Sequence, residues 1–291
     1  MIASFLITFR EALEAALVVG IVLGYLARTG QGRYRRWVYL GTLGGLVASI
    51  VGAWLFSLVA GGLEGRSEQL FEGVTMLVGA LLLTTMILWM SRQQHMTREL
   101  ESKVAGEIAA VRTAGMFLLV FVAILREGIE TVIFLSAASF AATGNNLPGA
   151  LAGIAAAMAV GYGLFVGSLS LSVRTFFRLS SVLLVLFAAG LVAHSVHELG
   201  EAGLVPPLIE HVWDINPSKY ADGSYPPLHE NGWVGSILAS LLGYDGDPSL
   251  AEVLSYFVYL IGVTWFWRRP NRLAAPSPSR PKAAARGMSG T

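Results

Sequence analysis

ASFLITFREALEAALVVGIVLGYLA, residues Ala3 to Ala27, and AGMFLLVFVAILREGIETVIFLSAASF, residues Ala114 to Phe140, are two apolar runs interrupted near their middles by the same charges. The interruptions are Arg10-Glu11-Ala12-Leu13-Glu14 and Arg126-Glu127-Gly128-Ile129-Glu130, 116 positions apart. Each run is long enough to cross a bilayer core, which takes about 20 mainly apolar residues in a helix. An ionisable side chain at the bilayer centre costs about 2.5 to 3.5 kcal/mol on insertion scales. Three charges per run therefore persist only with partners or in a water-filled cavity, and both motifs are candidate sites for moving something charged.

The rest of the chain fits that setting. Of its 291 residues 54% are hydrophobic and 13% charged, and the mean hydropathy is +0.62. Such values lie outside the soluble globular range and indicate an integral membrane protein. Cysteine is absent, so disulfides, thiolate ligands and cysteine-held iron-sulfur clusters are excluded. Any bound metal must be held by oxygen or imidazole. The basic residues occupy short loops and a tail instead of one folded face, which argues against a nucleic-acid partner. Arg10 and Glu11 inside the first apolar run, with no basic segment before it, mark a retained helix and not a cleaved signal peptide.

Seven spans are expected: Ala3 to Ala27, Trp37 to Ala60, Leu70 to Met90, Ala114 to Phe140, Leu151 to Leu171, Val182 to Gly203, and Leu250 to Trp267. Sixteen of the 20 Lys and Arg residues fall after spans 1, 3, 5 and 7; only Arg66 and Lys219 fall in the alternate loops, and Arg10 and Arg126 lie within spans. The excess of positive charge on cytoplasmic loops then puts the N-terminus outside and the C-terminus in the cytoplasm, in a plasma (inner) membrane.

Spans 1 and 4 both carry the Arg-Glu-x-x-Glu pattern, and three helices per unit make the second unit enter from the opposite side. The expected fold is all-α and polytopic, an inverted repeat of residues 1–91 and 112–203 followed by a seventh helix at 250–267. Small-xxx-small spacings such as Gly41 and Gly45 suit close helix packing, as ordinary membrane-helix glycine content also would. The segment 206–249 is an acidic outer loop in which Ile237, Leu238, Leu241 and Leu242 recur at helical spacing behind Trp233, the pattern of a short helix lying in the interface. The tail, 268–291, is rich in Pro, Ala, Ser and Arg and reads as disordered and cytoplasmic.

On a helix Glu11 and Glu14 share a face, with Arg10 one turn before Glu14, and Glu127, Glu130 and Arg126 repeat the arrangement. If the two helices meet about a twofold axis, four carboxylates converge beside two guanidinium groups, and the deficit of positive charge suits a multivalent cation. Carboxylate oxygens favour hard cations, among them ferric iron, manganese, calcium and magnesium, over copper(I). The bland alternative is a pair of structural charge clusters that hold helices together; two copies at matched depth weigh against it.

A second cluster stands at the outer end of span 6, where His194, His197, Glu198 and Glu201 share one face. Glu68 and Glu72 lie at the outer end of span 3. Together these six are candidates for a site that collects metal before it moves inward, although polar groups also simply mark helix ends at the headgroup level. The zinc-protease patterns are absent, because the glutamate follows the second histidine. Haem between helices would need histidines on facing spans.

The paired motifs in spans 1 and 4 of a seven-helix chain resemble the oxidase-dependent high-affinity iron permeases of fungi and their bacterial EfeU-like relatives. The resemblance covers Met1 to about Trp267 and includes the H-E-L-G-E-A-G run from His197 to Gly203. It implies that Glu11, Glu14, Glu127 and Glu130 bind iron in transit with Arg10 and Arg126 in support, and that a separate ferroxidase or iron-delivery protein works at the outer face. Ala12 and Ile129 depart from the usual motif residues, glycine and leucine, without touching a ligand.

The expected function is therefore an iron permease, with no enzymatic activity and no organic cofactor. Its rivals are a permease for another cation such as manganese or lead, and a membrane metal sensor or scaffold that signals through its tail.

Overall fold

The computed structural model describes residues 1–92, 100, 102–106, 113–141, 145–165, 173–206, 209–220 and 224–268. Its helices are α1 (Ile2–Arg28), α2 (Arg35–Ala60), α3 (Arg66–Arg92), α4 (Thr113–Phe140), α5 (Leu147–Phe165), α6 (Val173–Glu201), α7 (Trp233–Leu242) and α8 (Leu250–Arg268), with a 3-10 turn at Gly32–Tyr34. No strand occurs among the described residues. The end of the expected fifth span, 166–171, and all of the tail but Arg268 lie outside the described residues.

Hydropathy sees only the apolar part of a helix, while backbone hydrogen bonding carries the helix on into its polar flanks. Thus α6 begins nine residues before Val182, and Arg174 and Arg178, expected in a loop, lie on its first turns. Gly32–Ala60, Arg66–Leu88 and Ser180–Glu201 are long and apolar enough to cross a membrane, and Leu147–Gly163 and Leu250–Phe266 are shorter apolar helices. α1 and α4 are as long, at 27 and 28 residues, but carry three motif charges each.

α1 lies along α5, α2 along α4 and α3 along α6, while α1 and α4 also touch and α8 packs on α6. The main core draws Ile7 from α1, Met76 and Leu83 from α3, Phe134 from α4, Leu184 and Leu191 from α6, and Val263 from α8. A second core joins Val22 and Leu26 to Val38, Met116, Val120 and Ile124. The outer faces of α2 and α8 remain apolar and exposed, with Leu43, Ile50, Trp54, Phe257, Val258 and Ile261 among them. So large an apolar surface is stable against lipid and a liability in water.

Glycines set the closest approaches. A methyl group added at Gly41 would press on the Phe117 carbonyl and Val120, and one at Gly45 on Ile124 and the Phe121 carbonyl. On the opposite pair of helices a methyl at Gly149 would press on the Met1 carbonyl, and one at Gly153 on Thr8 and the Phe5 carbonyl. The partners Phe117, Phe121 and Ile124 stand 116 positions after Met1, Phe5 and Thr8, and Gly149 and Gly153 stand 108 after Gly41 and Gly45.

The segment after α6 folds back into the bundle. Its strap, 209–215, pairs with 246–250 through Val212 N–H to the Pro248 carbonyl at 3.0 Å, Ile215 N–H to Gly246 at 2.9 Å and Leu250 N–H to Ile209 at 3.0 Å. α7 ends at Gly243, whose φ of 68° is easy only for glycine, and Gly243 lies against the backbone of Gly190. Gly190 sits eleven residues before the end of α6, about 16 Å along its axis. Leu241 packs on the main core and α7 touches α1. The expected interfacial helix is thus a wedge beside α6. Apolar residues at helical spacing look alike in sequence whether they meet lipid or protein.

Candidate metal site

The two motifs meet where α1 contacts α4. Glu11, Glu14 and Glu127 each bring a carboxylate oxygen within 4.8 Å of the others, the one group of three or more such ligands among the described residues. Glu11 and Glu127 are buried, and Glu14 is nearly so. Glu130 stands apart from the triplet: its Oε1 accepts a hydrogen bond from Arg126 Nε at 2.7 Å. Arg10 Nε lies 3.2 Å from Glu14 Oε1. Arg10 is fully buried while the Arg126 side chain is 51% exposed, so the two motifs sit in unlike surroundings.

Glu11 Oε2, Glu127 Oε2 and Glu130 Oε2 are buried and have no hydrogen-bond partner. A buried acceptor left unsatisfied costs about 1 to 3 kcal/mol, and more when charged. A cation bound among these oxygens would remove that cost. The donor set is oxygen alone, suited to a hard multivalent cation, and the site fits a metal ion as cargo.

Gly128 is fixed by its neighbour. A methyl group there would collide with Ser49 Oγ and Cβ on α2, and the Ser49 hydroxyl itself donates to the Gly45 carbonyl at 2.8 Å. The equivalent Ala12 packs in a cluster with Phe9, Leu13 and Ala157. Alanine at 157, which is 108 positions after Ser49, presents no hydroxyl. The departure from glycine at Ala12 is therefore sterically permitted.

Near the start of α3 and the end of α6, the six residues singled out by sequence take different places. His194 Nδ1 lies 3.0 Å from the Gly190 carbonyl. His197 bridges two carboxylates, with Nδ1 3.0 Å from Glu252 Oε1 and Nε2 3.3 Å from Glu201 Oε1. Gln69 Nε2 donates to Glu201 Oε2 at 2.8 Å. Glu68 and Glu72 near the start of α3 and Glu198 near the end of α6 are close enough to repel one another electrostatically.

Glu252 was missed by sequence. It is buried and also accepts from Ser249 Oγ at 2.7 Å, while the Glu252 N–H reaches Ser249 Oγ at 3.3 Å. Ser249-Leu250-Ala251-Glu252 is the capping-box pattern. It signals the start of α8, but nothing in it points to a histidine 55 residues earlier. In the loop, burial pushes the Asp245 carboxyl above the usual carboxylate range. A hydrogen bond to Asp247 raises His211, Nδ1 lying 2.8 Å from both carboxylate oxygens.

A helical bundle with apolar outer faces and a buried all-carboxylate cluster between two charged motifs defines the class: an integral membrane protein. The chain belongs to the iron permease FTR1 family, whose model matches residues 1–267. It is similar to the ferrous iron permease EfeU of Yersinia pestis, 32% identical over 281 residues that make up 95% of this chain and 96% of that protein. EfeU of Escherichia coli O157:H7 is 32% identical over 281 residues, 94% of this chain and 98% of its own. An uncharacterized protein of Archaeoglobus fulgidus is 34% identical over 264 residues, covering 89% of this chain and 92% of its own. No solved structure matches.

Proposed function

We propose that the protein carries iron across the plasma membrane, passing the ion through the carboxylates of Glu11, Glu14 and Glu127, with Glu130 as the fourth carboxylate and Arg10 and Arg126 holding Glu14 and Glu130 in place. The observation that carries this is the convergence of Glu11, Glu14 and Glu127 oxygens within 4.8 Å in the middle of apolar helices. Membership of an iron permease family selects iron among the hard cations that such a site accepts.

The architecture proposed for this path is seven spans with an inverted repeat. Supporting it, the pairing of α1 with α5 matches that of α2 with α4 when the two three-helix units are exchanged. Gly41 and Gly45 meet α4 at the residues equivalent to those that Gly149 and Gly153 meet on α1. Such repeats place the substrate near the midplane, where they meet. The loop charges support an outer N-terminus and a cytoplasmic C-terminus. A ferroxidase or iron-delivery protein at the outer face follows from the family resemblance.

The test is uptake into vesicles containing the purified protein, with ferrous and ferric iron offered separately and with an oxidant present or absent. Glu11→Gln and Glu127→Gln should abolish uptake while insertion remains normal; normal uptake by correctly inserted variants would sink the assignment. Competition by manganese and lead separates an iron permease from a permease of the same build for another metal.

A further inference from the structure

The two flanks of the carboxylate triplet are packed differently. On one flank, Ile7 stands one turn before Glu11 on α1 and Phe134 one turn after Glu130 on α4, so each shares a face with its motif carboxylate. Both are fully buried, in the main core with Met76 of α3 and Leu191 of α6. Ala3, a further turn before Ile7, and Ala137 and Ala138, beyond Phe134, are buried in the same core. Toward the end where α1 begins and α4 finishes, the carboxylates are therefore shut off by apolar packing two helical turns deep, about 11 Å.

The other flank is looser. Eight of the eleven residues 3–13 of α1 are buried, and none of the eight residues 14–21 is. Eight residues make more than two turns, so no face of α1 is fully covered there. The residues 116 positions from Phe134 and Ile7 are Val18 and Ala123, each smaller than its counterpart and each partly exposed. Packing on α1 resumes at Val22, in the second core. The arginines divide in the same way: Arg10, on the sealed flank, is buried, and the side chain of Arg126, on the looser one, is half-exposed. A charge at this depth calls for water or a partner around it, so the exposed part of Arg126 marks the flank from which water reaches the motifs.

We propose that Ile7 and Phe134 are the gate of the permeation path. They form an apolar constriction that keeps ions and water off the carboxylates from the end where α1 begins, while the passage by Val18 and Ala123 stands open. A constriction of this kind closes by dewetting and conducts once its walls part. The unequal side chains make the gate one-sided, since Val18 and Ala123, brought equally close, would leave space that Ile7 and Phe134 fill. With the N-terminus outside, as the loop charges support, the gate faces outward. The seal is read from packing alone; its use as a gate rests on the permease function proposed above.

Two measurements on the full-length protein in vesicles test it. The chain has no cysteine, so each single cysteine reports on its own position. Val18→Cys and Ala123→Cys should react with a small charged methanethiosulfonate reagent, and Ile7→Cys and Ala137→Cys should resist it; equal reactivity of the two pairs overturns the seal. In the second measurement, a pH-sensitive dye inside the vesicles follows proton leak with no iron present. Wild type should be tight, while Phe134→Ala and Ile7→Thr should leak, because each lets water into the constriction. Ile7→Thr keeps the branched shape and carries the test if Phe134→Ala does not insert. If Ile7 and Phe134 are core residues only, the variants lose iron uptake in step with folded protein and stay tight to protons, and the gate is overturned. A wild type that takes up no iron but keeps the reactivity pattern removes the permease function and leaves the seal standing. Iron uptake with four equally reactive cysteines does the reverse.

Discussion

Replacing Gly128 by alanine should separate the two halves of the carboxylate site, with partial rescue by a change on a different helix. The new methyl group collides with both Oγ and Cβ of Ser49, which is itself buried between α2 and α4. Restoring ordinary carbon contacts of about 3.5 to 4.0 Å requires α4 to move off α2 by on the order of 1 Å. Overpacking of this kind costs about 1 to 3 kcal/mol, against which alanine in a helix gains up to about 1 kcal/mol over glycine. The net loss of stability should be about 1 kcal/mol.

Function should suffer more, because Glu127 is the next residue and metal ligands tolerate errors of only about 0.2 Å. Iron uptake should drop far beyond what the lost folded fraction explains. Adding Ser49→Gly moves the missing space to the other helix, and the double variant should recover stability and uptake together, with a coupling of about 1 to 2 kcal/mol in a double-mutant cycle. The equivalent Ala12→Gly should cost only the helical penalty of glycine, about 0.5 to 1 kcal/mol. Thermal unfolding in nanodiscs and vesicle uptake provide the readouts. A Gly128→Ala protein that transports normally, or one that Ser49→Gly does not improve, would refute the steric reasoning.

Single cysteines can be placed in this naturally cysteine-free chain without a background; on intact cells a membrane-impermeant maleimide should label position 64 and not position 33, and the opposite pattern would reverse the orientation. Truncation after Arg269 should leave iron uptake intact, whereas a sensor that signals through its tail would lose its response. Tyr259→Phe removes the 2.6 Å hydroxyl contact with Thr84 that ties α8 to α3 and should cost about 1 kcal/mol in thermal unfolding. His211 gains its partner Asp247 only in the folded loop, so its raised pKa stabilises the loop below the unfolded value of about 6.5 and the benefit fades as pH climbs through the folded one. His211→Ala should therefore increase proteolysis of the strap at pH 5.5 more than at pH 9, and an equal effect at both would remove the ion pair from the account.

The motif carboxylates were legible because charge in an apolar run has few explanations, and three of the four do converge. The fourth was not, since the choice of Arg126 as the partner of Glu130 depends on rotamers and on the exposure of that arginine. The helices of the bundle follow the hydropathy within a few residues except where α6 extends into its basic flank. The descent of α7 was hidden, because its lodging depends on Gly190 and Gly243 allowing two backbones to touch. Glu252 was hidden for a similar reason: its capping role is local and visible, its bond to His197 joins two helices across 55 positions.

The split between the motifs has a consequence for how a cation could travel. On the proposed repeat, exchange of the two units maps Glu11, Glu14 and Glu127 onto Glu127, Glu130 and Glu11. Two of the three carboxylates are common to both sets. The structure holds Glu130 on its arginine at 2.7 Å and Glu14 more loosely at 3.2 Å. The mirror arrangement would tighten Glu14 on Arg10 and release Glu130. A cation could then shift from one half-site to the other without ever leaving Glu11 and Glu127, each arginine acting as a placeholder for the ion while its own carboxylate waits. Such a hand-over needs two carboxylates to rotate, and no helix to be taken apart.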